Sequence, residues 1–190
     1  MKIKLGFFSI LIVLCLLVSD LRFALCSFVA IVLHELAHVF FAKVCGVGFQ
    51  RFEFGIYGAR LYANNNVFSY WKEVVISLAG PLINIISTVI VYPIYANSRS
   101  ETIFLFMSAS VTLGILNLLP IRSFDGGRAI YALLSMLLPI HVAEKILYAF
   151  SSICIFILWT LSVYLLITSK AGLSTFVFSI SLFSKIIDDK

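Results

Sequence analysis

The sequence predicts an all-α polytopic membrane protein of about five to six transmembrane helices, with a small membrane-surface β-hairpin. Three observations carry this expectation. The chain has 190 residues, of which 62% are hydrophobic and 12% charged, and its mean hydropathy is +1.09. A soluble domain is roughly 45–50% apolar and 25% charged. Apolar stretches recur at lengths near the ~20 residues that a bilayer-crossing helix requires. The net charge of +5 comes from basic residues scattered singly between those stretches. That pattern reads as control of topology and argues against a nucleic-acid partner.

Lys2 and Lys4 precede an apolar run from Leu5 to Val18. A basic amino end before a short apolar run also fits a secretory signal peptide. No well-formed small-x-small cleavage site follows, and Ser19-Asp20-Leu21-Arg22 leads straight into the next run, so an uncleaved first span is the better reading. The second span covers Phe23 to Val44 and is closed by Gly46 and Gly48. From Phe49 to Tyr62 the period changes: Phe52, Phe54 and Ile56 alternate with Arg51, Glu53 and Gly55. A two-residue repeat marks a strand, and Tyr57-Gly58 offers a turn back. The stretch reads either as a short hairpin with an open edge or as an interfacial loop.

Asn64-Asn65-Asn66 is polar punctuation, and Trp71 and Lys72 mark an interface before a third span, Val74 to Tyr95. This span contains Ala79-Gly80-Pro81-Leu82-Ile83-Asn84. Gly and Pro loosen a transmembrane helix, and the backbone groups they free must be satisfied inside the protein. Asn84 places an amide at membrane depth, either for the site or for a helix–helix hydrogen bond of packing value. A fourth span, Thr102 to Leu119, ends at Pro120. In Ile121-Arg122-Ser123-Phe124-Asp125-Gly126-Gly127-Arg128, the paired glycines permit close backbone approach or positive φ and are expected to hold Asp125 in a non-helical bend. Ala129 to Leu138 is too short to cross and reads as a surface or half-buried helix. Ile146 to Thr168 spans again, and Leu173 to Ile187 is either a tilted last span or an interfacial helix. Cys15, Cys26, Cys45 and Cys154 form no C-x-x-C pair, so free thiols are expected rather than a disulfide framework.

If the early spans all cross, Lys2, Lys4, Lys43, Arg51, Arg60, Lys72, Arg122 and Arg128 share one side, against Arg22 and Arg99 on the other. The rich side is expected to be cytoplasmic.

The chemistry concentrates in His34-Glu35-Leu36-Ala37-His38. Residues four apart share a helix face, so both imidazoles can meet one metal ion while Glu35 stands beside them as a proton acceptor. An ionisable residue near a bilayer centre costs about 2.5–3.5 kcal/mol on insertion scales and rarely persists there without a partner. The bland alternative is two histidines satisfied by backbone or water. A catalytic zinc takes three protein ligands and leaves a place for water. The third His, His141, lies beside Pro139 near an expected surface. Asp125 is the better third ligand, because a carboxylate in a Gly-flanked bend at membrane depth needs a partner. Its alternative role is a turn-forming residue at a helix N-terminus.

Together these residues resemble the site-2 protease family of intramembrane zinc metalloproteases. The likeness rests on His34-Glu35-x-x-His38, on Ala79-Gly80-Pro81-x-x-Asn84, and on Asn117-x-x-Pro120 followed by Asp125-Gly126-Gly127. It covers about Phe23 to Leu138, and the Asn-Leu-Leu-Pro…Asp-Gly-Gly-Arg pattern looks most like the sporulation FB-type subgroup. The resemblance implies one catalytic Zn2+ held by His34, His38 and Asp125, with catalytic roles for Glu35 and Asn84. It also implies cleavage in or near transmembrane segments of membrane-associated protein substrates.

In this reading Glu35 takes the proton of the attacking water, and Asn84 donates to the oxyanion or orients substrate backbone. The expected partners are the substrate, the lipid bilayer and a membrane regulatory protein. The expected place is a bacterial cell membrane, with the site opening toward the cytoplasm. A single membrane-embedded domain over residues 1–190, with a motif core at 23–138 and no PDZ or CBS module, is expected. Ser123-Phe124 departs from the family, whose members often carry Pro before the ligand Asp. The alternatives are a non-proteolytic membrane zinc-binding or transport protein, which calls for more polar residues along a path, and an inactive scaffold, which has no need of Glu35.

Overall fold

The computed structural model describes residues 21–47, 49–55, 58–63 and 69–168. Its helices are α1 (Leu21–Val44), α2 (Tyr70–Ser98), α3 (Glu101–Leu118), α4 (Asp125–Leu137) and α5 (Ile140–Thr168). Among the described residues, four helices are long and apolar enough to cross a membrane: α1, α2, α3 and α5. The segments expected to raise that number to five or six, 5–18 and 173–187, lie outside the described residues. Between α1 and α2, strands β1 (Phe49–Gly55) and β2 (Gly58–Ala63) pair antiparallel, with Glu53 opposite Arg60 and an irregularity at Phe49/Arg51.

The packing is that of a protein whose solvent is lipid. Large apolar side chains point outward: Leu25, Phe28, Leu36 and Phe40 on α1, Val89 and Ile90 on α2, Phe156 and Ile157 on α5. Small and polar residues point inward. On α1 the buried positions are Cys26, Ala30, His34, Ala37, His38 and Ala42, a stripe at helical spacing. On α3 they are Ala109, Ser110 and Gly114. Without a hydrophobic drive between helices in lipid, close backbone approach supplies the association, and small residues permit it. Gly114 shows this directly, since a Cβ there would stand 3.2 Å from the Pro81 carbonyl oxygen.

Helix α2 is central and touches α1, α3 and α4, while α5 packs on α4. It begins at Tyr70, a turn earlier than the apolar pattern indicates, because Trp71, Lys72 and Glu73 are tolerated in an interfacial first turn. Arg22 at the start of α1 pairs with Glu101 at the start of α3 at 3.4 Å. That pair puts these two helix starts at one end of the bundle, with the α1–α2 connection and the Pro120–Asp125 bend at the other.

The bend is clamped from α5. Ser151 Oγ donates to the Pro120 carbonyl at 3.1 Å and accepts from the Arg122 amide at 3.0 Å, while Ile121 packs against Ile155. One expectation is corrected here. Asp125 does not sit in a non-helical bend but opens α4 as its first residue. The irregular residues precede it, and the glycines serve close packing. Cβ atoms at Gly126 and Gly127 would collide with the backbone carbonyls of Leu118 and Ile121.

Candidate metal centre

His34 and His38 arise from the interior of α1, one turn apart on its buried face. Asp125 comes to them from the first turn of α4, at a separation of 91 residues from His34. His34 Nε2 lies 3.0 Å from Asp125 Oδ2, His38 Nε2 lies 3.2 Å from the same oxygen, and the two nitrogens are 3.1 Å apart. All three residues are buried. Three atoms that could ligate one metal ion thus meet at one point in the bundle. A tetrahedral zinc with bonds of about 2.0–2.1 Å sets its ligand atoms roughly 3.4 Å apart, so the donor set and its spacing fit such an ion with little movement.

The histidines are held from α2. His38 Nδ1 donates to the Ile76 carbonyl at 2.7 Å, which leaves Nε2 as the ring's free lone pair. The Asn84 amide nitrogen lies 3.3 Å from His34 Nδ1. Between these two contacts, Gly80 faces the imidazoles. A Cβ there would lie 2.7 Å from His34 Nε2 and closer still to His38 Nε2. The glycine therefore makes room for the centre itself. Pro81 follows it inside the helix and lacks the N–H that would close the turn there.

Asp125 is tied outward as well as inward. Its Oδ1 lies 3.9 Å from Arg128 Nη1, and Arg128 donates through Nε and Nη2 to Glu73 Oε1 at 3.1 and 2.7 Å. Glu35 is half-buried beside the ligands and lies within electrostatic reach of His38, His34, Asp125 and Arg128. A cavity of about 210 Å³ lies next to Arg128, lined also by Glu73, Arg122, Tyr131, Glu144 and Leu147.

Other sequence candidates fall outside this cluster. His141 is exposed at the start of α5. The Asn117 amide donates to Leu113 O of its own helix at 3.0 Å. Sequence reasoning missed the Ile76 carbonyl, which has no side-chain signature, and the Glu73–Arg128 pair, whose partners are 55 residues apart.

A sequence model of peptidase family M50 matches residues 22–100 and 95–161, which includes every residue of the centre. The chain belongs to peptidase family M50. The site-2 protease from Methanocaldococcus jannaschii shares this M50 chain's fold, with a TM-score of 0.69 at 20% identity over 95% of this chain and 85% of that one. No curated protein matches by sequence. The resemblance to site-2 proteases read from the three motifs therefore holds. As an M50 peptidase with its His-His-Asp cluster among membrane-crossing helices, the protein is an intramembrane metalloprotease.

Proposed function

We propose that the protein is a zinc metalloendopeptidase of the site-2 type that cleaves peptide bonds in or near transmembrane segments of membrane-associated protein substrates. The observation that carries the reading is the convergence of His34 Nε2, His38 Nε2 and Asp125 Oδ2, all within 3.2 Å of one another, beside Glu35. When bound there, zinc supplies a Lewis acid that polarises the scissile carbonyl and makes water nucleophilic near neutral pH.

The chain's own residues do the rest. Glu35 accepts the proton of the attacking water and returns it to the leaving amine. His38 is kept in one tautomer by Ile76 O, and Asp125 is steadied by Arg128. The lipid-facing walls of α1 and α2 exclude bulk water, which strengthens each electrostatic interaction in the centre.

Water and an unwound substrate enter from the end that carries the cavity, through Glu73, Arg122 and Arg128. Lys43, Lys72, Arg122 and Arg128 lie toward that end, which supports a cytoplasmic opening in a bacterial cell membrane. A helical substrate hides its carbonyls and must extend locally before cleavage. The β1–β2 pair lies in the same connection and offers an edge for strand addition, which gives backbone affinity with little sequence demand. Asn117-Leu118-Leu119-Pro120 and Asp125-Gly126-Gly127-Arg128 support the FB-type subgroup, with a membrane regulatory protein as a further partner.

The test is cleavage of a membrane-tethered substrate by purified wild type and Glu35→Gln in one detergent. Glu35→Gln is expected to retain zinc and lose about 10²–10⁴-fold in rate, the usual contribution of a general base. Undiminished cleavage by Glu35→Gln overturns the assignment of the base.

A further inference from the structure

Asn84 is fully buried on α2, and its carboxamide oxygen has no hydrogen-bond partner among the described residues. Its amide nitrogen faces His34 Nδ1 at 3.3 Å. Nδ1 is across the ring from the Nε2 that meets His38 and Asp125, so the imidazole stands between Asn84 and the point where the ligands converge. An amide placed there acts on the ring rather than on a substrate carbonyl beyond it.

The carboxamide has two orientations of the same shape, related by a half-turn about its Cβ–Cγ bond. With nitrogen against Nδ1, the ring accepts there and its proton resides on Nε2, where Asp125 Oδ2 takes it at 3.0 Å. With oxygen against Nδ1, the ring proton resides on Nδ1 and Nε2 offers a lone pair. Only the second form can ligate a metal through Nε2. It also pairs the buried oxygen, and moves the unpartnered position to the amide nitrogen. His38 needs no such choice, because the Ile76 carbonyl only accepts and so presets Nδ1–H. Ile76, Gly80 and Asn84 follow at four-residue intervals on α2, so one helix face serves both rings and the space between them.

We propose that Asn84 is a positioning residue that acts through His34: its carboxamide oxygen accepts the Nδ1 proton and thereby presents Nε2 to the metal. This rests on the zinc reading above and replaces the oxyanion-donor role expected from the motif. A hydrogen-bond partner on the far nitrogen of a ligating imidazole is worth about 10–100-fold in metal affinity.

The experiment is zinc affinity by chelator competition for wild type, Asn84→Leu and Asn84→Asp in the same detergent, with thermal melting alongside. Asn84→Leu is expected to bind zinc about 10–100-fold more weakly. Asn84→Asp keeps an acceptor against Nδ1 and is expected to bind as tightly as wild type or tighter. Wild-type affinity in Asn84→Leu overturns the proposal, as does equal weakening in both variants, which a packing role produces. Histidine 15N spectra of the zinc-loaded wild type read the tautomer directly: His34 protonated at Nδ1 supports the proposal, and protonation at Nε2 overturns it. Wild type that binds no zinc overturns the zinc reading itself, and that result is distinct from every variant outcome.

Discussion

At the scale of single residues, the centre depends on groups that hold the ligands in place. Arg128 bridges Glu73 and Asp125 and so links the starts of α2 and α4. Arg128→Ala leaves Glu73 without its partner and is expected to destabilise the folded protein by about 1.5–3 kcal/mol, the usual range for a hydrogen bond to a charged group. Adding Glu73→Ala is expected to cost less than the sum of the single changes, because the two residues share one interaction. Thermal melting of the four proteins in one detergent measures this coupling, and strict additivity contradicts it. The convergence of three candidate ligands was legible in the sequence because His34 and His38 share a helix spacing and Asp125 precedes two glycines. The groups that orient them were not. A backbone carbonyl such as that of Ile76 leaves no mark in a sequence, and no pattern announces that Glu73 meets Arg128.

At the scale of elements, the glycines decide how closely backbones approach. Gly80 opens the face of α2 on which the imidazoles lie. Gly80→Ala is expected to displace both rings and abolish zinc binding while α2 stays helical, since Ala is the better helix former. Zinc content set beside far-ultraviolet circular dichroism checks this, and full zinc content in Gly80→Ala contradicts it. Gly126→Ala meets the Leu118 carbonyl, a backbone group that cannot swing aside, so it is expected to lower the yield of folded protein. The four spans among the described residues were legible because apolar length sets them. Their ends were not, since interfacial residues such as Trp71 and Lys72 are as compatible with a helix's first turn as with a loop. Asp125 at a helix N-terminus was legible only as the alternative to a bend, because Gly126-Gly127 reads locally as a helix breaker. The helix is favoured there by tertiary packing: Ser151 and Ile155 of α5 hold the preceding bend, and only glycine fits against Leu118 and Ile121.

At the scale of the whole molecule, the described residues include four helices long and apolar enough to cross a membrane, and α1, α2 and α4 meet at a polar centre behind walls that face lipid. The ends of the bundle differ in charge. Impermeant maleimide is expected to label a cysteine placed at the exposed Glu144 from the cytoplasmic side, and one placed at the exposed Asn97 from the opposite side, in a background free of native cysteines. The reverse pattern contradicts the proposed orientation. The central claim is that His34, His38 and Asp125 together hold one catalytic zinc, and metal analysis of the purified protein tests it most directly. Wild type and His141→Ala are expected to carry zinc at a stoichiometry near one per chain, and Asp125→Ala to lose most of it. A wild type without zinc, or an Asp125→Ala protein that keeps it all, contradicts the account.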